Sequence, residues 1–462
     1  MAEKRILVRG GTVVGPERAS PADLLVEGEV IKAVAVPGGL DHEPVDEALD
    51  ASGTLVLPGL VDPHLHFDSP FMGTSTVHGY GQGTVAAAHG GVTTVIDFTT
   101  QPKGGSILAN VAEKEEKARQ SCIDWSASGI LLDAGPATLA EIPRLVEAGF
   151  PTYKCFTTYK HSGRLVEDEG ILALLEATSQ SGGMLMVHAE NDPIVERATA
   201  RELAAGHLAP IYHARARPPE AEVVAVRRIL DLVRQVRAPV YLVHLSAKES
   251  VALVREARDE GLPVHAETCT HYLALTEEAL RGPRGQLFIC SPPLRGLLDV
   301  EGLWRAVASG TLEVISSDDA GVPPADNLRL GAGRFDKVPS GLSGIECRLS
   351  ILYTEGVAKG RIGLERLVAL TSTEPARLFG LWPHKGSLDP GADADLVIYD
   401  PEPEWVMTAD ALHMSTDFCP FEGWRIHGRV RSVFCRGAPV VRDGRFVGRA
   451  GHGRRVKRRL SR

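Results

Sequence analysis

The chain has 462 residues, 44% of them hydrophobic and 24% charged, and carries a formal net charge of −9 at pH 7. This composition is typical of a soluble protein with one large and one small domain, and the negative charge argues against a nucleic-acid binder. The N-terminal segment MAEKRILVRGG lacks the apolar stretch of a signal peptide, and no run of 18 apolar residues occurs. We therefore expect a cytoplasmic protein that does not associate with membranes.

The two ends of the chain share one pattern. Residues 1–57 and 381–448 both predict short strands separated by Gly, Asp and Pro at hairpin intervals. Neither segment is long enough to build a good core alone, so we expect them to form one small β-sandwich domain together. The basic tail at 449–462 could bind nucleic acid, but the acidic body favours an arm that contacts a neighbouring acidic subunit.

The middle of the chain, residues 58–380, alternates short apolar runs with segments of helical periodicity. The runs are LVDPHLH (60–66), VTTVIDF (92–98), WSASGILL (125–132), PTYKCF (151–156), MLMVHAE (184–190), PVYLVHL (239–245), PVHAETC (263–269) and TLEVISSD (311–318). Continuous β-branched runs are typical of parallel strands that are covered on both faces. Eight strands with eight helices predict an α/β fold, a (β/α)8 TIM barrel, although the strand count alone leaves a doubly wound open sheet possible.

Metal-binding side chains recur towards the ends of five of these runs. They are His64, His66, Lys154, His188, His244 and Asp318. In a barrel, functional residues gather at the carboxyl ends of the strands, and residues two apart on one strand face the same way. Imidazole and carboxylate ligands without thiolate suit Zn²⁺, with Mn²⁺ or Co²⁺ as alternatives. Four histidines and one aspartate are enough for two ions.

Lys154 is the unusual member of this set. Two adjacent cations need a bridging anion, and an ammonium group buried beside them would be disfavoured by desolvation and by like charge. A lysine that has captured CO₂ as a carbamate offers two oxygens and a negative charge. The sequence therefore favours N6-carboxylated Lys154 over a lysine that reaches a surface carboxylate.

Several motifs together resemble one family. DPHLHFDSPF, YKCFTTYK, VHAEN, YLVHLS, ETCTHYL, SPPLR and GADADLVIYDP occur in the order found in cyclic amidohydrolases, specifically dihydropyrimidinases and D-hydantoinases. The resemblance spans nearly the whole chain. It implies a homotetramer of barrels with two zinc ions, one held by His64, His66 and Asp318 and the other by His188 and His244, with carboxylated Lys154 shared.

The resemblance also implies substrate contacts. Tyr159 matches the tyrosine whose hydroxyl polarises the substrate carbonyl, and Ser291 matches a serine whose main chain binds the ring amide. Ser340 stands where the family commonly has asparagine, a position that also contacts substrate through the backbone. Phe71, Met72 and Phe156 fall near the pocket for the exocyclic substituent, where plain packing is the alternative interpretation.

The implied reaction is hydrolytic ring opening of a dihydropyrimidine or 5-substituted hydantoin to an N-carbamoyl amino acid. A hydroxide bridging the two metals attacks, while Asp318 accepts the proton of the water and returns it to the leaving nitrogen. Allantoinase-like and cyclic imide hydrolases remain alternatives within this chemistry, and a non-catalytic dihydropyrimidinase-related scaffold is an alternative of another class. Dihydroorotase-like chains carry an arginine where this chain has Asp68.

One position departs from the family pattern. The family usually reads Ser-Asp-His after the eighth strand, whereas this chain reads SSDDAG, with Asp319 in place of the histidine. An additional carboxylate beside the site could change substrate choice or pH dependence.

Overall fold

The computed structural model describes residues 3–461, so Met1, Ala2 and Arg462, at the outer ends of the predicted segments 1–57 and 449–462, lie outside it. The strands are β1 (Arg5–Val14), β2 (Ala19–Glu27), β3 (Val30–Ala35), β4 (Glu47–Asp50), β5 (Leu55–Pro58), β6 (Leu60–Leu65), β7 (Pro70–Phe71), β8 (Thr74–Ser75), β9 (Val92–Thr100), β10 (Asp124–Ile130), β11 (Thr152–Phe156), β12 (Met184–His188), β13 (Val240–Leu242), β14 (Val264–Cys269), β15 (Val314–Ser316), β16 (Leu396–Val406), β17 (Arg425–Cys435), β18 (Ala438–Arg442) and β19 (Arg445–Phe446). The α-helices are α1 (Tyr80–His89), α2 (Ile107–Ala118), α3 (Pro136–Ala148), α4 (Asp168–Ser181), α5 (Asp192–Ala204), α6 (Ile211–Ala216), α7 (Pro219–Val236), α8 (Lys248–Asp259), α9 (Thr270–Ala274), α10 (Leu297–Ser309), α11 (Pro324–Gly331), α12 (Arg348–Leu352), α13 (Leu364–Val368) and α14 (Glu374–Leu378).

Eight parallel strands form the predicted barrel, in the order β6, β9, β10, β11, β12, β13, β14 and β15. The first and last strands approach each other: the His66 amide donates to the Asp319 carbonyl at 2.8 Å, and Leu65 pairs with Asp319 in a parallel bridge. The buried Arg348 guanidinium donates to the carbonyls of Val61 and Ile315, one on each of these strands. The barrel is therefore confirmed, and the open-sheet alternative is wrong.

The eight barrel runs predicted from the sequence all contain a strand, and two of these strands end early. β13 stops at Leu242 and β15 stops at Ser316. His244 and Asp318, two residues beyond those ends, have left-handed backbones with φ of 41° and 45°. L-residues adopt this conformation rarely, and here it turns both side chains out of the strand ladder.

Both chain ends contribute to the second unit, as predicted. Hydrogen bonds link its nine strands into one mixed sheet, in which β5 from the N-terminal part pairs antiparallel with β16 from the C-terminal part. Its core also draws on both ends, since Ile6, Leu24, Val56 and Phe434 belong to one buried cluster. We propose the division 1–57, 58–380, 381–448 and 449–462 on these bounds.

The basic tail makes contacts within its own chain, and the predicted contact with a neighbouring subunit stays a prediction. The Arg454 guanidinium makes two 2.6 Å contacts to the carboxylate of Glu29, and Arg455 pairs with Glu115. Arg458 is 2% exposed and donates to Ser126 Oγ at 2.9 Å. The acidic groups that attract the tail are therefore present on the same protomer.

Over residues 3–461, none of the helices combines the length and the apolar character that crossing a bilayer requires.

Candidate metal centre

The predicted metal ligands of three strands meet around the imidazole of His64. His64 Nε2 lies 2.8 Å from Lys154 Nζ and 3.1 Å from Asp318 Oδ1, and His66 Nε2 lies 3.4 Å from the same carboxylate oxygen. These residues come from β6, β11 and the turn after β15. Because the strands of a closed barrel are parallel, their carboxyl ends meet at one mouth, where the sequence predicted these residues.

The other two histidines complete the cluster. The ring centroids of His188 and His244 are 4.5 Å apart, and those of His64 and His244 are 5.4 Å apart. One ligand atom each from His64, His244 and Asp318 lies within 4.8 Å of the other two. The structure thus brings all six predicted ligand residues together.

The donor atoms themselves fit a metal. His244 Nδ1 is fully buried and has no hydrogen-bond partner within residues 3–461. A buried polar atom without a partner is costly, and a cation at this position would satisfy its lone pair. Together with the neighbouring imidazoles and the Asp318 carboxylate, it forms an N/O donor set of the kind that binds Zn²⁺.

Burial sets the protonation states that metal binding needs. It lowers the pKa of His66 to about 4 and holds the pKa of His244 well below its usual value. Burial also lowers the pKa of Lys154 to about 8, so that a neutral amine becomes accessible near neutral pH. Burial opposes ionisation of Asp318, but the attraction of His64 and its neighbours outweighs this and keeps the carboxyl pKa well below its ordinary value.

Two buried glutamates orient the ligands, and the sequence analysis missed both roles. Glu267 accepts a hydrogen bond from His64 Nδ1, from the Tyr241 hydroxyl at 3.0 Å and from the His244 amide at 3.2 Å. Such contacts select the histidine tautomer and leave the other ring nitrogen free for the metal. The available signal was a glutamate in the middle of an apolar strand, since Glu267 lies in the VHAETC run.

Glu190 does the same for His188. It lies two residues after His188 in VHAEN, and its carboxylate accepts from His188 Nε2 at 2.7 Å and pairs with Arg217. Although burial alone would raise the pKa of Glu190, Arg217 and His188 lower it to about 2. His188 is thereby held with Nδ1 available for a ligand.

A cleft opens over the cluster. Tyr159, Ser291, Ser340, Phe71 and Phe156 line it beside the ligand residues. Met72 does not belong to this lining and is 48% exposed, so the structure does not bring it to the site. Arg164 lines the cleft although the sequence analysis assigned it no role.

Asp319 points away from the cleft. Its side chain is buried, with Oδ1 2.8 Å from His78 Nδ1 and Oδ2 accepting from the amides of Gly344 and Ile345. The extra carboxylate therefore meets an imidazole from the segment before α1 and not a substrate.

Comparison with known proteins shows the family of this chain. The profile of the amidohydrolase family matches residues 55–440. The chain belongs to the amidohydrolase family. The prediction of an enzyme of this family is confirmed, and membership implies a binuclear metal centre, for which the residues above are the candidates.

Named relatives of this amidohydrolase match it along almost its whole length. A D-hydantoinase from Geobacillus stearothermophilus is 41% identical over 456 residues, which cover 98% of this chain and 96% of that protein. A D-phenylhydantoinase from Escherichia coli O1:K1 / APEC is 38% identical, with 98% of both chains covered.

Solved structures confirm the barrel with its unit of terminal strands. The dihydropyrimidinase from Brevibacillus agri NCHU1002 superposes with a TM-score of 0.96 at 40% identity, covering 99% of this amidohydrolase and 100% of that chain. The L-hydantoinase (dihydropyrimidinase) from Arthrobacter aurescens gives a TM-score of 0.90 at 28% identity, with 99% and 100% covered.

Proposed function

We propose that this amidohydrolase opens the ring of a dihydropyrimidine or a 5-substituted hydantoin by hydrolysis and releases an N-carbamoyl amino acid. The observation that carries the proposal is the convergence of all six ligand residues beneath one cleft that Tyr159, Ser291 and Ser340 also line. The names of the relatives, which are D-hydantoinase, D-phenylhydantoinase and dihydropyrimidinase, support this substrate class.

Two Zn²⁺ ions would be held by this cluster. His64, His66 and Asp318 would bind one ion, His188 and His244 would bind the other, and carboxylated Lys154 would be shared. When bound, the ions would activate the attacking water and polarise the substrate carbonyl. The 2% exposure of Lys154 and its pKa of about 8 support a neutral amine that can combine with CO₂.

Asp318 would transfer the proton during the reaction. Its carboxylate remains ionised over the working pH range, so it can accept a proton from the attacking water. It would then return this proton to the ring nitrogen, because an amide anion is otherwise a very poor leaving group.

Tyr159 would stabilise the charge that develops on the carbonyl oxygen. Burial raises the pKa of its hydroxyl, which therefore stays protonated and can donate a hydrogen bond. The main chains of Ser291 and Ser340, which line the same cleft, would orient the ring amide. A contact made by the backbone tolerates serine where the family commonly has asparagine.

A substrate panel on metal-replete protein tests the proposal. Dihydrouracil, hydantoin, 5-phenylhydantoin, allantoin and succinimide would be incubated separately, with N-carbamoyl products identified by mass spectrometry. We expect turnover of the first three, and loss of this turnover in Asp318→Asn. Hydrolysis of allantoin or succinimide alone would contradict the proposed substrate class, and no hydrolysis of any compound would contradict the enzymatic role.

We also propose that the ions are zinc and that the protein is a homotetramer, as the family resemblance implies. Elemental analysis is expected to find about two zinc ions per chain. Light scattering is expected to give four times the monomer mass of 49.5 kDa. The cytoplasmic location stays a prediction.

A further inference from the structure

A tight turn after β11 presents Tyr159 and Arg164 to the same cleft. Tyr159 has a left-handed backbone, and its carbonyl accepts hydrogen bonds from the amides of Ser162 at 3.1 Å and Arg164 at 3.2 Å. The next residues return to the strand, where the Val166 amide donates to the Phe156 carbonyl at 2.9 Å. Arg164 is therefore held in a defined place by backbone hydrogen bonds.

The guanidinium of Arg164 lies between two aromatic rings of the cleft. Its Cζ is 5.5 Å from the ring centroid of Phe71 and 5.7 Å from that of Phe156. Lys154 Nζ lies 5.5 Å from the centroid of the same Phe156 ring. Arg164 and Lys154 thus both lie near the Phe156 ring in the lining of one cleft.

Arg164 has no anionic partner in the part of the chain that the structure describes, since every carboxylate there is more than 4.0 Å away. Burial lowers the pKa of its guanidinium, and the hydroxyl of Tyr159 is the group that opposes this shift. Arg164 is half-buried, and a guanidinium that loses part of its hydration without a paired carboxylate is stabilised by an anionic ligand.

Two other arginines near the site are compensated. Arg217 pairs with Glu190, and Arg295 lies 3.7 Å from the carboxylate of Glu222. Neither of them lines the cleft, whereas Arg164 does. The cleft therefore offers one guanidinium that no carboxylate of the described residues pairs with.

We propose that Arg164 binds an anionic group on the exocyclic substituent of the substrate, so that the preferred substrates are cyclic ureides with a carboxylate side chain. This inference rests on the proposed function and narrows its substrate class. The products would be N-carbamoyl derivatives of acidic amino acids. The sequence already excludes the arginine of dihydroorotase-like chains at position 68, where this chain has Asp68. The anion would thus be recognised by a residue of the turn after β11 and not by a residue at position 68.

The test compares hydantoins that differ in charge alone. 5-(2-Carboxyethyl)hydantoin and 5-carboxymethylhydantoin would be measured against their uncharged carboxamides, on metal-replete wild-type protein and on Arg164→Gln. We expect wild-type kcat/KM to favour an acid over its amide, and Arg164→Gln to lower kcat/KM for the acid by about ten- to a hundredfold, as for a lost charged hydrogen bond. The value for the amide should change by less than about threefold.

Arg164→Glu gives a sharper result, because it reverses the charge. We expect it to reject the acids and to improve kcat/KM for 5-(2-aminoethyl)hydantoin relative to wild type. Lys160→Gln is the matched control, since Lys160 is an exposed cation of the same turn that does not line the cleft. It should leave the preference between acid and amide unchanged.

The outcomes separate this inference from the proposed function. The role of Arg164 would be overturned by equal kcat/KM for acid and amide in the wild type, or by an equal loss for both in Arg164→Gln. Hydrolysis of the amide would still support the proposed function in that case. If no compound is hydrolysed, calorimetric titration of the wild type with acid and amide decides the inference. Tighter binding of the acid that Arg164→Gln abolishes would support it, and equal binding would overturn it.

Discussion

Asp319 and His78 form a buried hydrogen-bonded pair, with 2.8 Å between Asp319 Oδ1 and His78 Nδ1 and both side chains at most 1% exposed. The carboxylate stands where the family resemblance implies an imidazole. The pair joins the end of the eighth strand to the segment before α1, and His78 Nε2 accepts from the Ser415 amide at 3.2 Å. The Asp319 carbonyl also accepts a hydrogen bond from the amide of His66, the residue that follows β6.

Exchanging the two residues tests whether the pair positions this end of the barrel. Asp319→His alone places two imidazoles together and His78→Asp alone places two carboxylates together, so each should lower the free energy of unfolding by about 3–5 kcal/mol. The double variant restores a carboxylate beside an imidazole and should recover most of the loss. Urea unfolding measures the free energy of unfolding of each variant, and the absorption spectrum of the cobalt-loaded protein reports the geometry at His66.

Additive losses in the double variant would show that the two side chains do not act as a pair. A suitable control exchange is Glu116 with Arg119, an exposed ion pair in and just after α2. Such surface pairs contribute little, so this exchange should leave stability within about 0.5 kcal/mol.

Asp318→Asn should separate metal binding from proton transfer. An amide oxygen can still act as a ligand, but it cannot accept the proton of the attacking water. We expect metal content to fall modestly and kcat to fall by about 10³-fold, within the range for a lost general acid or base. Elemental analysis and steady-state kinetics on the same sample measure both. Near-normal kcat in fully loaded protein would remove this role from Asp318.

Glu267→Gln should weaken metal binding without unfolding the protein. The amide can still accept from one donor, but it loses the charge that favours the required tautomer of His64. We expect zinc affinity to fall by about 10- to 100-fold, as for other partners of metal-bound histidines. Competition with a chromogenic chelator measures the affinity.

Tyr241→Phe is the matched control for this variant. It removes one hydrogen bond to Glu267 and leaves the carboxylate in place. A smaller loss of affinity is expected, and an equal loss in the two variants would contradict a specific role for the charge.

His213 should make stability depend on pH below neutrality. Burial, reinforced by the nearby Arg217, lowers the pKa of His213 to about 4, and its Nε2 lies 2.8 Å from the Cys290 carbonyl. Between about pH 6.5 and 4 the unfolded chain binds a proton at this residue and the folded chain does not. Stability should therefore fall as the pH drops through this window, by at most about 3 kcal/mol from this group.

His213→Gln should flatten that part of the curve of unfolding free energy against pH. The control is His161→Gln, because the His161 side chain is 82% exposed. An unchanged pH dependence in His213→Gln would contradict burial of the neutral imidazole.

The sequence alone was sufficient to predict the barrel strands and the six candidate ligand residues that the structure brings together. Both rest on local patterns: apolar runs such as VTTVIDF make strands, and a polar residue at the end of such a run lies at the mouth of a barrel. His64 and His66 share a face because side chains alternate along a strand. These inferences need no knowledge of distant contacts.

The tertiary structure decided the contacts between distant segments. Glu267 and His64 are 203 residues apart, and Asp319 and His78 are 241 apart, so no local pattern links them. The position of Arg164 depends on a turn whose hydrogen bonds return the chain to Phe156, and the partners of the tail, such as Glu29, lie at the opposite end of the sequence. Side-chain periodicity specifies which face of a strand is buried, whereas closure of the barrel and the folding of its loops determine which charges meet.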